Sequence, residues 1–408
     1  MDIISNCGRF YILMNEKRKE QLVDFCREMI RRPSLSGQEK DVAELVAETM
    51  RSLGYDSVEV DNYGNVIGKI TLGNGGKTLL FEGHMDHVEI GDVSSWTVDP
   101  FAADIFDGKI YGRATTDMKG NLSAMIQAAA FLKEDAADGV NGELIVAGVV
   151  HEECFEGVAS EAIGKKYKPD FVVIGEPSSL TLKRGQRGRA EIVLETLGKN
   201  AHSSNPSVGL NSIKKMMKIL LEIEDSFIPE DHPVLGKGIL EVTDIISSPY
   251  PGASVVPDRC RVTFDRRLLV GETEEGVLGQ VQQVIDRVAA SDLEIKTKLY
   301  LAEAEEVCYN GEKIKAERFA PGWLFPEDDV FVQTCLKGLR SAGQDPDISH
   351  YAFCTNGSYY AGKAGIPTVG FGGSLETLAH VVDEYIEIDH LVKACEGYAG
   401  IAGSVFGS

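Results

Sequence analysis

The chain has 408 residues, 43% of them hydrophobic, and a formal net charge of −22. That length exceeds what one hydrophobic core usually organises, so two domains are expected. An acidic surface of this size repels phosphate backbones and argues against nucleic acid as a partner. No apolar run approaches the roughly 20 residues of a membrane span, and the N-terminus lacks a basic region followed by an apolar stretch and a small-residue cleavage site. The eight cysteines show no C-x-x-C spacing, and a chain this large needs no disulfide staples. Reduced thiols in a cytoplasmic protein are therefore expected.

Residues 1–13 read as an extension ahead of Met14-Asn15-Glu16-Lys17. Ser36 and Glu39 have capping-box spacing, and an amphipathic helix is expected over 41–53. Apolar strands are expected at 65–70, 78–82, 143–150 and 171–174, with an Ala-, Met- and Leu-rich helix over 122–132. Alternating strands and helices imply an α/β unit on a mostly parallel mixed sheet, covered on both faces in three layers. From about residue 188 the rhythm changes to strand 189–196, helix 211–223, strands 238–245 and 259–269, helix 273–290 and strand 293–301. That order is the split βαβ, or ferredoxin-like, α+β pattern. The chain then returns to helix 329–342, strand 367–371 and helix 390–405. The expected organisation is a catalytic domain, 1–187 and 305–408, interrupted by an inserted lid or dimerisation domain, 188–304.

Ligands in open α/β sheets bind beyond the carboxyl ends of the strands. Here those ends read His84-Met85-Asp86, His151-Glu152-Glu153 and Gly175-Glu176-Pro177. Asp117, in Gly112-Arg113-Ala114-Thr115-Thr116-Asp117-Met118-Lys119-Gly120, falls just before the helix at 122–132, and Leu378-Ala379-His380 lies beyond the strand at 367–371. Zinc binds such nitrogen and oxygen donors at about 2.0–2.2 Å. Taken singly, the H-x-D is a capped surface histidine, the Glu152–Glu153 pair a solvated acidic pair, Glu176 a strand cap and His380 a loop residue. All of them falling at strand ends together is what points to a metal.

These motifs, with the glycine-to-asparagine stretch at 198–211 and Phe264-Asp265-Arg266-Arg267, resemble the zinc-dependent family of acetylornithine deacetylase, succinyl-diaminopimelate desuccinylase, aminoacylase and bacterial glutamate carboxypeptidase. The resemblance runs from about Lys17 to the C-terminus. Thr355-Asn356-Gly357-Ser358 and Gly365-Ile366-Pro367 are most similar to the subgroup of selenium-metabolism-linked hydrolases. The resemblance implies two zinc ions per chain, with cobalt or manganese as substitutes. Asp117 would bridge them, His84 and Glu176 completing one site and Glu153 and His380 the other. Asp86 would accept the ring N–H of His84, and Glu152 would be the general base that deprotonates water and passes its proton to the leaving nitrogen. Neighbours on an extended strand point opposite ways, which would let Glu153 hold metal while Glu152 faces substrate. By the same resemblance, His202 would stabilise the oxyanion from the partner subunit of a homodimer, Arg267 would bind a substrate carboxylate, and Asn211 would lie in the substrate region. Arg266 beside Arg267 leaves the register open, and one of the pair reads as a plain surface charge.

The implied function is removal of an acyl group from an N-acyl amino acid by metal-activated water. Cleavage of a small peptide on the same metals is the first alternative, and a catalytically inactive metal-binding homologue the second. Retention of Glu152 argues against the latter, since a pure binder needs no general base. A metallophosphatase is disfavoured, because no Gly-rich phosphate cradle is present.

Overall fold

A computed structural model describes residues 12–135 and 140–407. Two separate hydrophobic cores divide it, as the switch of rhythm near residue 188 suggests. The larger fills the space around a nine-stranded sheet. Its strands lie in the order Ser57–Val60, Val66–Leu72, Gly142–Val149, Thr78–His84, Phe171–Ile174, Thr368–Gly370, Leu182–Gln186 and Trp323–Leu324, with Ile348–Tyr351 also on Leu182–Gln186. The sheet is mixed, as expected. Parallel pairing holds the centre, from Gly142–Val149 to Thr368–Gly370, while both flanks are antiparallel apart from Ile348–Tyr351. The central strands are buried along nearly their whole length, as parallel strands covered by helices require. The helix Gly120–Asp135 is buried without a break from Gly120 to Leu132. Most of its residues are small or apolar, and the polar Asn121, Ser123 and Gln127 are hydrogen-bonded within the fold.

The second core belongs to the strands Gly188–Leu197, Ile239–Ser248, Arg259–Leu268 and Thr297–Leu301 and the helices Ser212–Ser226 and Glu274–Ser291. These strands pair antiparallel in the order Ile239–Ser248, Arg259–Leu268, Gly188–Leu197, Thr297–Leu301. Phe319–Ala320 adds to the end of Gly188–Leu197.

Several local expectations are revised. Ser36 and Glu39 form no capping box. The helix Lys40–Ser52 has no side-chain cap, because Ser36 donates its hydroxyl to Asp86 (2.7 Å) and Glu39 accepts from the amides of Gly37 (3.0 Å) and His151 (3.1 Å). Ile12, assigned to the leading extension, is buried in the main core, whereas residues 1–11 lie outside the described part. Of the two adjacent arginines, Arg266 is the one turned inward. It is fully buried, ion-paired with Glu272 and bonded to the carbonyl oxygens of Ile239 and Arg267. The last strand of the smaller unit begins at Thr297, four residues later than expected from 293, because Asp292 folds the intervening residues into a turn.

Candidate metal centre and its cavity

Three adjacent parallel strands deliver the first donors to one sheet edge. His84 closes Thr78–His84, Glu152 and Glu153 follow Gly142–Val149 on one side, and Glu176 follows Phe171–Ile174 on the other. Asp117 comes from the turn Thr115–Lys119 that leads into Gly120–Asp135, and His380 from the loop beyond Thr368–Gly370.

The carboxylate of Asp117 is shared between two imidazoles. Its Oδ1 lies 2.8 Å from His84 Nε2, and its Oδ2 lies 3.0 Å from His380 Nε2. His84 Nε2 is also 3.7 Å from Glu176 Oε1, and His380 Nε2 is 3.2 Å from Glu153 Oε2. So His84, Asp117 and Glu176 form one cluster and Asp117, Glu153 and His380 a second, with Asp117 in both. Glu152 also places an oxygen within 4.8 Å of His84 and Glu176.

The electrostatics of this cluster suit a cation. Burial pushes the carboxyls of Glu152, Glu153 and Glu176 upward, and the carboxylates crowded around each add to the shift. His380 is raised to about 10 by its bonds to Asp117 and Glu153. Buried carboxylates this close repel one another unless positive charge lies between them. Imidazole nitrogens and carboxylate oxygens are the donor set of zinc, so the residues present fit the metal.

Asp86 holds the surroundings together, in a wider role than the single contact expected of it. His84 Nδ1 sits 3.0 Å from the main-chain oxygen of Asp86 and 3.4 Å from its Oδ1, so the nearer acceptor is the backbone. The carboxylate accepts from Ser36 Oγ and from the amides of Glu152 (3.1 Å) and Glu153 (3.2 Å). Glu152 and Glu153 are therefore not on an extended strand. The strand ends at Val149, His151 takes a left-handed conformation (φ 56°), and a turn hung on Asp86 separates the two glutamates. His380 is also left-handed (φ 64°), a conformation side chains rarely adopt and one that concentrates at functional sites. A Cβ at Gly372 would meet the Glu176 carbonyl at 2.4 Å, so only glycine lets that loop pass so close to Glu176.

The cavity in front of the cluster encloses about 410 Å³ and is lined by Asp117, Glu152, Glu153, Glu176 and His380, with Arg189, Arg267, Glu156, Phe353 and Glu376 on its other walls. Arg267 is thus brought to the expected site. It spends Nε on Asp265 (2.7 Å), and its terminal nitrogens have no partner among the described residues. Asn211 is not brought there: its side chain caps the helix Ser212–Ser226 by accepting from the Lys214 amide. His202 is exposed, is bonded to Ser204 and does not line the cavity of its own chain.

Sequence reasoning missed Glu384. This buried carboxylate accepts from the amides of Thr116 (2.7 Å) and Asp117 (3.1 Å) and pairs with Arg113 (2.6 Å), so it fixes the turn that presents Asp117. It lies 267 residues along the chain from Asp117 in no motif. Arg189 and Glu376 were missed likewise, because each reads as an ordinary charged residue.

The fold and site define a metal-dependent hydrolase. The family described as Peptidase family M20/M25/M40 matches residues 80–404, and the chain belongs to it. It is therefore an enzyme of the metallo-hydrolases that act on amide bonds. The chain is 34% identical to the uncharacterized protein YgeY of Escherichia coli (strain K12), over 95% of this chain and 96% of that protein. It is 26% identical to succinyl-diaminopimelate desuccinylase of Thioalkalivibrio sulfidiphilus (strain HL-EbGR7), over 93% of this chain and 97% of that one. Among solved structures, the M20 family metallo-carboxypeptidase Sso-CP2 of Sulfolobus solfataricus shares the fold at a TM-score of 0.71 and 19% identity, covering 96% of this chain and 99% of that chain.

Proposed function

We infer that the protein is a zinc-dependent amidohydrolase that removes the acyl group from an N-acyl amino acid. The observation that carries this reading is the Asp117 carboxylate divided between His84 and His380, with Glu152 beside the cluster and Arg267 across the same cavity. The likeness to a desuccinylase supports a deacylase over a peptidase.

His84, Asp117 and Glu176 would hold one zinc ion, and Asp117, Glu153 and His380 the second. Metal there supplies Lewis acidity, which lowers the pKa of water and polarises a carbonyl oxygen. Glu152 takes the proton of the attacking water as the new C–O bond forms, then delivers it to the amide nitrogen as the C–N bond breaks. Asp86 orients His84 and fixes the amides of Glu152 and Glu153, so base and ligand keep a set spacing. Arg267 offers its free terminal nitrogens to the substrate carboxylate, a planar match that lysine would not make.

The active assembly in this reading is a homodimer formed through the smaller unit, which also serves as a lid. Support comes from Ile239–Ser248, an edge strand that leaves Ile239, Val242, Ile245 and Ile246 exposed. Unpaired apolar edges of this kind are normally covered. Dimerisation would also give the exposed His202 a site to act on, as an oxyanion donor in the partner's cavity.

The test is turnover by zinc-loaded protein of matched N-acyl amino acids and dipeptides. Faster hydrolysis of the N-acyl amino acids is expected. A clear preference for dipeptides would make the protein a peptidase on the same residues, and no turnover of either would overturn the reading.

A further inference from the structure

The strands Gly188–Leu197 and Arg259–Leu268 place Arg189 directly opposite Arg267 and Glu191 directly opposite Asp265. Like charges facing each other across a sheet are destabilising. Here the opposition is resolved along the diagonal. Asp265 accepts at Oδ2 from Arg189 Nε (2.9 Å), and its Oδ1 is ion-paired with Arg267 Nε (2.7 Å). Arg189 also binds Glu191 through Nη2 (2.8 Å), and reaches out of the smaller unit through Nη1 to Glu156 (3.1 Å). Glu156 lies three residues beyond Glu153, next to the turn hung on Asp86. All three nitrogens of Arg189 are engaged, whereas Arg267 uses only Nε. One arginine is therefore fixed and the other is free to bind, and a continuous relay of charge-assisted bonds joins the catalytic turn to the free one.

We propose that Arg189 is a positioning residue that sets the distance from Arg267 to the Glu152 turn, and that this distance selects how many carbons separate the substrate carboxylate from the scissile amide. The inference rests on the reading of Arg267 as the carboxylate binder. A fixed fork tolerates little displacement, because the carboxylate and the amide must both be in place for reaction. The enzyme then favours an N-acyl α-amino acid over its β-amino homologue, whose carboxylate lies one carbon further out.

The experiment measures kcat and KM of zinc-loaded protein on three substrates: an N-acyl α-amino acid, its β-amino homologue and the carboxamide of the first. Arg189→Lys keeps the charge and loses the fork, and Glu156→Gln cuts the relay at its far end while leaving Arg189 in place. In both variants the α-over-β preference should fall by about 10-fold, chiefly through KM, a range typical of small changes in substrate fit. Losses on the carboxamide should be clearly smaller than on the acid, and zinc content should stay at the unmodified level. An unchanged α-over-β ratio, or equal losses on acid and carboxamide, would overturn the proposal while the function stands. Should the unmodified enzyme treat acid and carboxamide alike, the carboxylate reading itself fails and the proposal falls with it.

Discussion

Asp117 serves two histidines with one carboxylate, and no neighbouring acid in the cavity is placed to replace it in both clusters. Asp117→Ala should therefore lose most of the bound zinc, measured by elemental analysis, and undiminished metal would remove the bridging assignment. Glu152 differs from Glu153 in what it touches: Glu153 contacts His380, whereas the Glu152 carboxylate has no hydrogen-bond partner among the described residues. Glu152→Gln should keep its metal and its fold but lose at least the ~10²–10⁴-fold that general acid–base catalysis contributes. Full activity in that variant, together with full zinc in Glu153→Gln, would reverse the two roles. Arg267 has free terminal nitrogens in a chain whose mean charge repels anions. Losing a charge-assisted contact costs about 1.5–3 kcal/mol, roughly 10–150-fold. Arg267→Ala should depress kcat/KM for a free acid by that much and for its methyl ester far less, and equal losses would place the carboxylate elsewhere.

At the scale of elements, turns matter more to this site than strands. The sheet brings His84, Glu152, Glu153 and Glu176 to one edge, but the turn on Asp86 separates Glu152 from Glu153, and Glu384 holds the turn that carries Asp117. A similar economy holds in the smaller unit, where Asp292 ends the helix Glu274–Ser291. A negative charge at a helix C-terminus is unfavourable, and Lys215 and Lys218 of Ser212–Ser226 offset it at 2.8 and 2.6 Å. These lysines hold the Asp292 carboxyl down from 3.8 to about 2. A depressed carboxylate adds stability that is complete above its unfolded value and is lost as pH falls through the folded one. Asp292→Asn should therefore lower the melting temperature at neutral pH and flatten its fall on acidification below 3.8. A variant that melts with the same pH slope as the parent would show that the pair adds nothing.

For the whole molecule, the edge strand Ile239–Ser248 is the surface that asks for a partner. Light scattering of the full chain should give a dimer, and replacing Ile245 and Ile246 by charged residues should give monomers. If His202 acts across that interface, those monomers keep their zinc and lose turnover. Fully active monomers would end both ideas.

The main alternation of strands and helices, the change of rhythm near residue 188 and the side chains that gather at the sheet edge were legible in sequence, because periodicity and strand-end motifs are local properties; the helices Glu16–Ile30 and Val158–Tyr167 and the strands Leu182–Gln186 and Ile348–Tyr351 were not. His84, Glu153 and Glu176 could be read together because parallel strands share one carboxyl edge. Other features depended on residues distant in the chain. Arg266 and Arg267 are indistinguishable as letters, and only strand register sends one into the core and the other into the cavity. Ser36 and Glu39 have the spacing of a cap, yet stronger acceptors and donors at Asp86 and His151 claim their side chains. Glu384 and Arg189 carry no motif, since a residue that positions another needs only a charge and the right place in three dimensions. Sequence by itself determined which imidazoles and carboxylates were candidates for the site, because metal binding and proton transfer demand particular side chains. Tertiary structure alone decided what holds those groups apart at working distances, because hydrogen bonds and ion pairs form between whatever the fold brings within about 3 Å.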